Sequence, residues 1–360
     1  MESATSPGES TRAVHPPAAP RPQQTPVGLP LYRTAAWKFS DAREYAELLC
    51  GDRPGYSYSR VDNPTTDAFA QAVAALEGVN VDAEVAAQPF ASGMAAISTV
   101  LMTLTRSGAH VVAPREVYGG TYGLLTTVLD RFGVAADFVD LTDLEAVRAA
   151  IRPETTVLWG ETLANPTMSV ADLPSLAAIS REAGLTFVVD STFASPAVCR
   201  PLEHGVDVVV HSATKYLGGH SDATGGVAVG SPELMARVRH DRIDLGGMLA
   251  PDEAFLLHRG LATLPLRMER HCAGALAVAT ALAGHPRVTR VDFPGLPTHR
   301  DHALAGKLFD PGRYGAIVTV TPEGGREAGL ALCDRLRLVS VATSLAGTSS
   351  KVSHVATTTH

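Results

Sequence analysis

At 360 residues, with 45% hydrophobic and 19% charged side chains, the chain is long enough for one large domain and one smaller one, each with its own core. A formal net charge of −7 leaves no basic footprint for nucleic acid or an anionic membrane, so the expected partner is a small molecule. Cys50, Cys199, Cys272 and Cys333 are widely spaced, with no CxxC and no Cys/His pairing at zinc spacing. They read as isolated buried thiols in a reducing cytoplasm rather than as a disulfide framework or a metal site. No apolar run reaches the length of a membrane span, and the first residues lack the apolar core of a signal peptide, which also points to the cytoplasm.

Residues 1–26 are rich in Pro, Ser and Ala and poor in bulky apolar groups, so a disordered tail is expected there. Residues 27–63 carry Tyr32, Trp37, Phe39 and Tyr45 with weak periodicity, the pattern of an arm that packs on something other than its own domain. Asn63 and Pro64 then cap and open a helix whose Phe69, Val73 and Leu76 share a face and which Gly78 closes. Six Val-rich segments follow, 109–114, 135–140, 156–160, 185–190, 206–211 and 225–230, most of them separated by helical stretches. Thr142 to Glu145 reads as a capping box, and Gly133 and Gly184 sit where C-terminal caps belong. This alternation predicts an α/β domain over 64–245 with a mostly parallel sheet covered on both faces, whose ligands bind beyond the carboxyl ends of the strands. Residues 246–360 read as a smaller α+β domain: a helical stretch over 251–284 kinked at Pro265, a strand near 316–320, a helix over 323–336 and a strand near 338–342.

The chemistry concentrates in VDVVVHSATKYLGGHSD, Val206 to Asp222. A valine-rich strand buried on both faces empties there into a polar turn carrying Lys215. An ammonium in such a place pairs with an anion or has its pKa lowered until it serves as base or Schiff-base nucleophile. Ser212 and Thr214 flank it at a spacing that presents two hydroxyls to one phosphate, while His211 and His220 read as hydrogen-bonded structural residues. Asp190 ends the apolar strand FVVD, next to Ser191 and Thr192, and at that depth needs a metal, an arginine or the protonated nitrogen of a bound ring; no His/Asp cluster supports the metal. Ser92, Gly93 and Met94 open a helix whose free amides suit a phosphate or simply allow close packing. Tyr118 can stack on an aromatic ligand or pack, and Asn165 can face a ligand or make an Asx turn.

Together these segments resemble one family. DSTFASPAVCRPLEHGVDVVVHSATKYLGGHSD, with YSRVDNPT, ASGMAA, VYGGTYG, ETLANPT, RGLATLPLRMERH, FPGLPTH and SLAG in the same order, is similar to the Cys/Met-metabolism enzymes that use pyridoxal phosphate. That group includes cystathionine γ-synthase, cystathionine γ-lyase, methionine γ-lyase and the O-acyl-homoserine sulfhydrylases. The resemblance implies a fold type I, aspartate-aminotransferase-like chain with pyridoxal 5′-phosphate held as an internal aldimine on Lys215. Asp190 would pair with the ring nitrogen, Tyr118 would stack on the ring as a second catalytic residue, and Asn165 would bond its phenolic oxygen. Ser92, Gly93, Met94, Thr192, Ser212 and Thr214 would complete the cofactor site. Tyr58 and Arg60 would reach the phosphate of a neighbouring subunit, so that a homodimer or homotetramer shares its active sites.

The implied activity is γ-elimination or γ-replacement on a sulfur amino acid or O-acyl-homoserine, that of a carbon–sulfur lyase or a γ-synthase or sulfhydrylase. Thr343 stands where the cystathionine enzymes carry glutamate, and Gly120 where methionine γ-lyases carry cysteine. In the family the arginine that clamps the substrate α-carboxylate lies beyond the position of His360; Arg267 or Lys351 is a candidate substitute, and Ser344 a weaker substrate contact. The alternative reading is a chain that binds the cofactor but serves as a scaffold or partner subunit.

Overall fold

The computed structural model describes residues 13–14 and 23–358, so the tail expected over 1–26 falls mostly outside the described residues. Leu31–His360 form one compact unit. Its centre is a seven-stranded sheet of β1 (Ala86–Phe90), β2 (His110–Pro114), β3 (Ala135–Val139), β4 (Thr155–Glu161), β5 (Thr186–Asp190), β6 (Val208–His211) and β7 (Gly226–Gly230), in the order β1-β7-β6-β5-β4-β2-β3. Only β7 runs against its neighbours β1 and β6; the other pairs are parallel.

Alternate side chains of the strands enter two cores. Phe187, Val189, Val209 and Leu158 pack on one side with Phe69 and Val73, and Val188, Val208, Val210 and Trp159 pack on the other with Ile97 and Val100. Burial on both faces is why these strands read as valine runs rather than as alternating sequences. At the same end of the sheet lie the carboxyl ends of β1, β4, β5 and β6 and the start of β7, because Phe90 pairs with Gly226 and His211 with Val227.

The expected helix over Pro64–Glu77 forms with Asn63 as its cap, and Gly133 and Gly184 take left-handed φ values of 75° and 69° at the ends of their helical segments. Elsewhere the sequence reading needs correction. Asp143, not Thr142, caps Leu144–Ala150, because its carboxylate reaches the amides of Glu145 and Ala146 while Thr142 bonds to Asp140. The stretch 251–284 is two helices, Pro251–Leu261 and Leu264–Ala283, and Pro265 stands in the first turn of the second, where a missing N–H costs nothing, rather than at a kink. The strand expected near 316–320 is Thr319–Pro322, paired with an unanticipated strand, Val288–Asp292; the one near 338–342 shrinks to Ser340–Val341. Cys50 is exposed, unlike the three other thiols.

The arm, expected without regular structure, holds a helix, Ala42–Cys50. The local signal was there: Asp41 accepts from the Glu44 amide, Glu44 reaches back to the Ser40 amide, and Gly51 ends the helix at φ 82°. None of its residues is buried, and Tyr45 and Leu49 stand exposed with Leu31, Tyr32 and Tyr58 nearby in sequence. The end of the arm is anchored: Asp62 accepts from Arg239 and from Arg242, and Asn63 donates to the Tyr32 carbonyl. The helix that carries both arginines runs Pro232–Leu245.

Candidate active site

Close approach of backbones shapes one side of the site. A Cβ on Gly226 would lie 2.2 Å from the Ser92 carbonyl oxygen, and one on Gly93 would lie 2.7 Å from Ser212 Cβ, so neither position accepts a side chain. Ser92 caps the helix Gly93–Leu104 by accepting from the Ala95 amide at 3.1 Å. The amides of Gly93 and Met94 have no partner among the described residues, which leaves two donors at a helix N-terminus beside the Ser212 hydroxyl. The Thr214 hydroxyl is turned away from that group, accepting from the Gly225 amide and donating to the Gly225 carbonyl.

On the other side, parallel pairing sets the carboxyl ends of β4, β5 and β6 in register, with Glu161 opposite Asp190 and Asp190 opposite Val210. Asp190 accepts from the Thr192 amide at 2.9 Å, and the Thr192 hydroxyl accepts from the Ser212 amide at 2.8 Å, tying the acid's strand to the lysine's turn. Burial raises the pKa of Asp190, partly offset by its bonds to Thr192, and among the described residues no Lys, Arg or His lies within 4.0 Å of its carboxylate. A carboxylate so placed calls for a cation from outside the chain. Lys215 Nζ donates to Ser344 Oγ at 2.7 Å; burial first, then the charge of Lys351, lowers its pKa.

Sequence reasoning missed Glu161. Its Oε1 accepts from the Tyr118 amide at 2.6 Å, and burial, followed by the charge of Asp190, pushes its pKa well up. Of the two adjacent carboxyls Glu161 is the one pushed up further, so it gives up a proton less readily than Asp190. The signal lay in the sequence, since ETLANP and FVVD both end a buried strand on an acid. Tyr118 is 45% exposed, and a Cβ on Gly120 would lie 2.6 Å from its ring and 2.8 Å from Met94 Sδ. Glu161→Gln, which keeps the acceptor oxygen, is expected to leave kcat/KM within a few-fold, whereas Glu161→Ala frees the Tyr118 amide and loses about ten- to a hundredfold, the equivalent of ~1–3 kcal/mol. Steady-state kinetics on the two variants, with melting curves to show folding, check this.

His211 and His220 are the structural histidines expected: His211 Nε2 bonds to buried Glu77 at 2.7 Å and His220 Nδ1 to the Gly218 carbonyl at 2.7 Å. Asn165 precedes Pro166 across a cis peptide in the turn after β4. Tyr58 and Arg60 are not brought to Lys215 within the chain. The Arg60 guanidinium lies 5.9 Å from the Tyr58 ring centroid and donates to the Ile243 carbonyl. Arg267 donates to the carbonyls of Tyr216 and Gly260 and to the Thr263 hydroxyl, bracing the break between the two long helices against the turn after Lys215.

The profile of the Cys/Met metabolism PLP-dependent enzymes matches residues 10–360. The chain belongs to this family. Among similar members are an L-methionine γ-lyase of Pseudomonas putida, 40% identical over 98% of this chain and 88% of its own length, and a cystathionine γ-synthase of Mycobacterium bovis with the same identity and coverage. A crystal structure described as a putative O-acetylhomoserine (thiol)-lyase from Campylobacter jejuni is 30% identical, with a TM-score of 0.89 over 95% of this chain and 88% of its own; its lysine carries a pyridoxyl monophosphate group. The family's cofactor fits the residues present here. Free helix amides suit its phosphate, Asp190, which has no cation beside it among the described residues, suits its ring nitrogen, and a desolvated lysine suits its aldehyde. Among the described residues no helix is long and apolar enough to cross a membrane.

Proposed function

We propose that this member of the family acts at the γ-carbon of a sulfur amino acid or an O-acyl-homoserine, by elimination or replacement, with Lys215 as its catalytic lysine. The observation that carries the reading is that a lysine and a strand-end carboxylate with no Lys, Arg or His within 4.0 Å among the described residues stand at the same end of the sheet, after the neighbouring strands β6 and β5. The printed activities of the relatives support the reaction class. Bound pyridoxal phosphate supplies the electron sink that makes the substrate's Cα proton acidic.

The chain's own groups do the rest. Asp190 would hold a proton on the ring nitrogen, Tyr118 would offer its half-exposed ring as a stacking face, and Asn165 would bond the phenolic oxygen. Gly93, Met94 and Ser212 would receive the phosphate, with Ser92 and Thr192 positioning them, and Thr214 would join if its hydroxyl left Gly225. Lys215 takes the Cα proton and can return it. Ser344 stands 2.7 Å from Lys215 Nζ, where a substrate group is bound to pass. A side chain at Gly120 would require the ring of Tyr118 or the sulfur of Met94 to shift, so the glycine sets the position of the Tyr118 ring where a methionine γ-lyase has cysteine.

We assign residues 64–245 to the cofactor and 246–360 to the substrate side. The arm over 27–63 reaches a second copy, so that Tyr58 and Arg60 complete the partner's site in a homodimer or homotetramer. A capped helix with no buried residue of its own supports that assignment. The test is a panel of homoserine esters, cystathionine, homocysteine and methionine, each with and without added thiol, read for 2-oxo acid and for new thioether. Turnover of at least one is expected; a protein that takes up pyridoxal phosphate and turns over none is a scaffold instead.

A further inference from the structure

The core between the helix Pro64–Glu77 and the sheet holds a polar pair that the chemistry above does not use. Phe69, Val73 and Glu77 stand four residues apart on one helix face, and the first two pack in the same core as Val209. The alternation that turns Val209 of β6 into that core turns His211 the same way. Glu77 and His211 are both fully buried, and the bond between Oε1 and Nε2 is 2.7 Å long. Glu77 Oε2 and His211 Nδ1 have no partner among the described residues, so no second group of the chain neutralises the ring. As a peg between helix and strand such a pair has little to recommend it, since well-packed apolar side chains of similar volume hold two elements together as well or better.

Its place beside the acid of the site gives it a use. Asp190 stands opposite Val210 on the neighbouring strand, and the Ser191 amide donates at 2.9 Å to the Val210 carbonyl, so the peptide that leads into His211 is the one that ties the two strand ends together. One proton in the bond between Nε2 and Oε1 decides whether the ring is a cation, and an acid on the adjoining strand favours the ring. Burial raises the pKa of Asp190, and the bonds with Thr192 and then the charge of His211 work against it. The other titratable neighbours bring no competing cation. Glu161, opposite Asp190, is an acid, and the Cys199 thiol, pushed up by burial and then by the charge of Glu77, keeps its proton. On the reading above that Asp190 faces the ring nitrogen of the cofactor, on which this step rests, we propose that His211, held as an imidazolium by Glu77, is a positioning residue that keeps Asp190 ionised and so keeps the proton on that nitrogen.

The test loads wild type, Glu77→Gln, His211→Asn and Asp190→Asn with pyridoxal phosphate carrying ¹⁵N in its ring, and follows the protonation of that nitrogen by NMR across pH. Wild type is expected to hold the proton through the neutral range. In Glu77→Gln, which keeps an acceptor for Nε2 but no charge, and in His211→Asn, the proton is expected to pass from the ring nitrogen to Asp190, with the pH of half-loss falling by about one unit or more. A purely structural pair lowers the melting temperature of these variants and leaves the nitrogen signal where it is, which overturns the proposal. A signal that moves in Asp190→Asn and in neither of the others overturns the role of the pair alone; one that stays in place in Asp190→Asn as well, or is unprotonated already in wild type, overturns the reading of Asp190 with it. A second readout needs no variant to fold: neutron diffraction from wild-type crystals is expected to show deuterium on both ring nitrogens of His211, and a single deuterium there overturns the proposal.

Discussion

Lys215→Ala is expected to lose at least about four powers of ten in kcat/KM, as when an enzyme loses a group that is both nucleophile and base. The variant should still fold, because the backbone of the turn is held independently of the side chain, by the Lys215 amide on the Ser212 carbonyl and the Gly219 amide on the Lys215 carbonyl. Borohydride reduction would fix the cofactor to wild type and not to the variant; equal fixation would place the reactive amine on another residue. The same lysine sets a pH dependence. Burial and the charge of Lys351 both disfavour its ammonium, so its neutral amine accumulates at lower pH than for a free lysine. Capture of pyridoxal phosphate by the apo chain should therefore rise with pH and level off below about pH 10.4, the ordinary lysine value.

Asp190→Asn is expected to cost roughly two to four powers of ten in kcat/KM, the equivalent of the ~3–5 kcal/mol lost when one partner of a buried charge pair is removed. An amide keeps the bond from the Thr192 amide but offers no charge to a protonated ring nitrogen. The loss should fall on kcat more than on cofactor affinity if, as proposed, Gly93, Met94 and Ser212 hold the other end. Stopped-flow and steady-state kinetics separate the two, and a variant with wild-type kcat would show that Asp190 serves only to tie β5 to the turn after β6.

Much of this site was legible in the residues. Valine runs ending in Asp190 and in HSATK are what a strand buried on both faces must look like when it delivers a polar group at its end, and the structure sets those two ends on neighbouring strands. What the residues concealed depends on three dimensions. Glu161 looked like the last residue of a strand until register put it opposite Asp190. Arg267 looked available to a ligand until the helix break gave its guanidinium backbone carbonyls to hold. The helix Ala42–Cys50 escaped because at nine residues it is shorter than the stretch over which a helical period is read.

The same arginine brace has a consequence for motion. The turn beneath Lys215 is stitched to the break between two long helices through several carbonyls, whereas residues 343–349 make no backbone hydrogen bond among those described. One wall of the site is thus held through several carbonyls, and the facing loop only by a two-residue ladder at its base, by Ser344 near its start and by Lys351 at its end. Local opening belongs to the least secured element, so the rate at which substrates enter and products leave is written into the loop and not into the sheet.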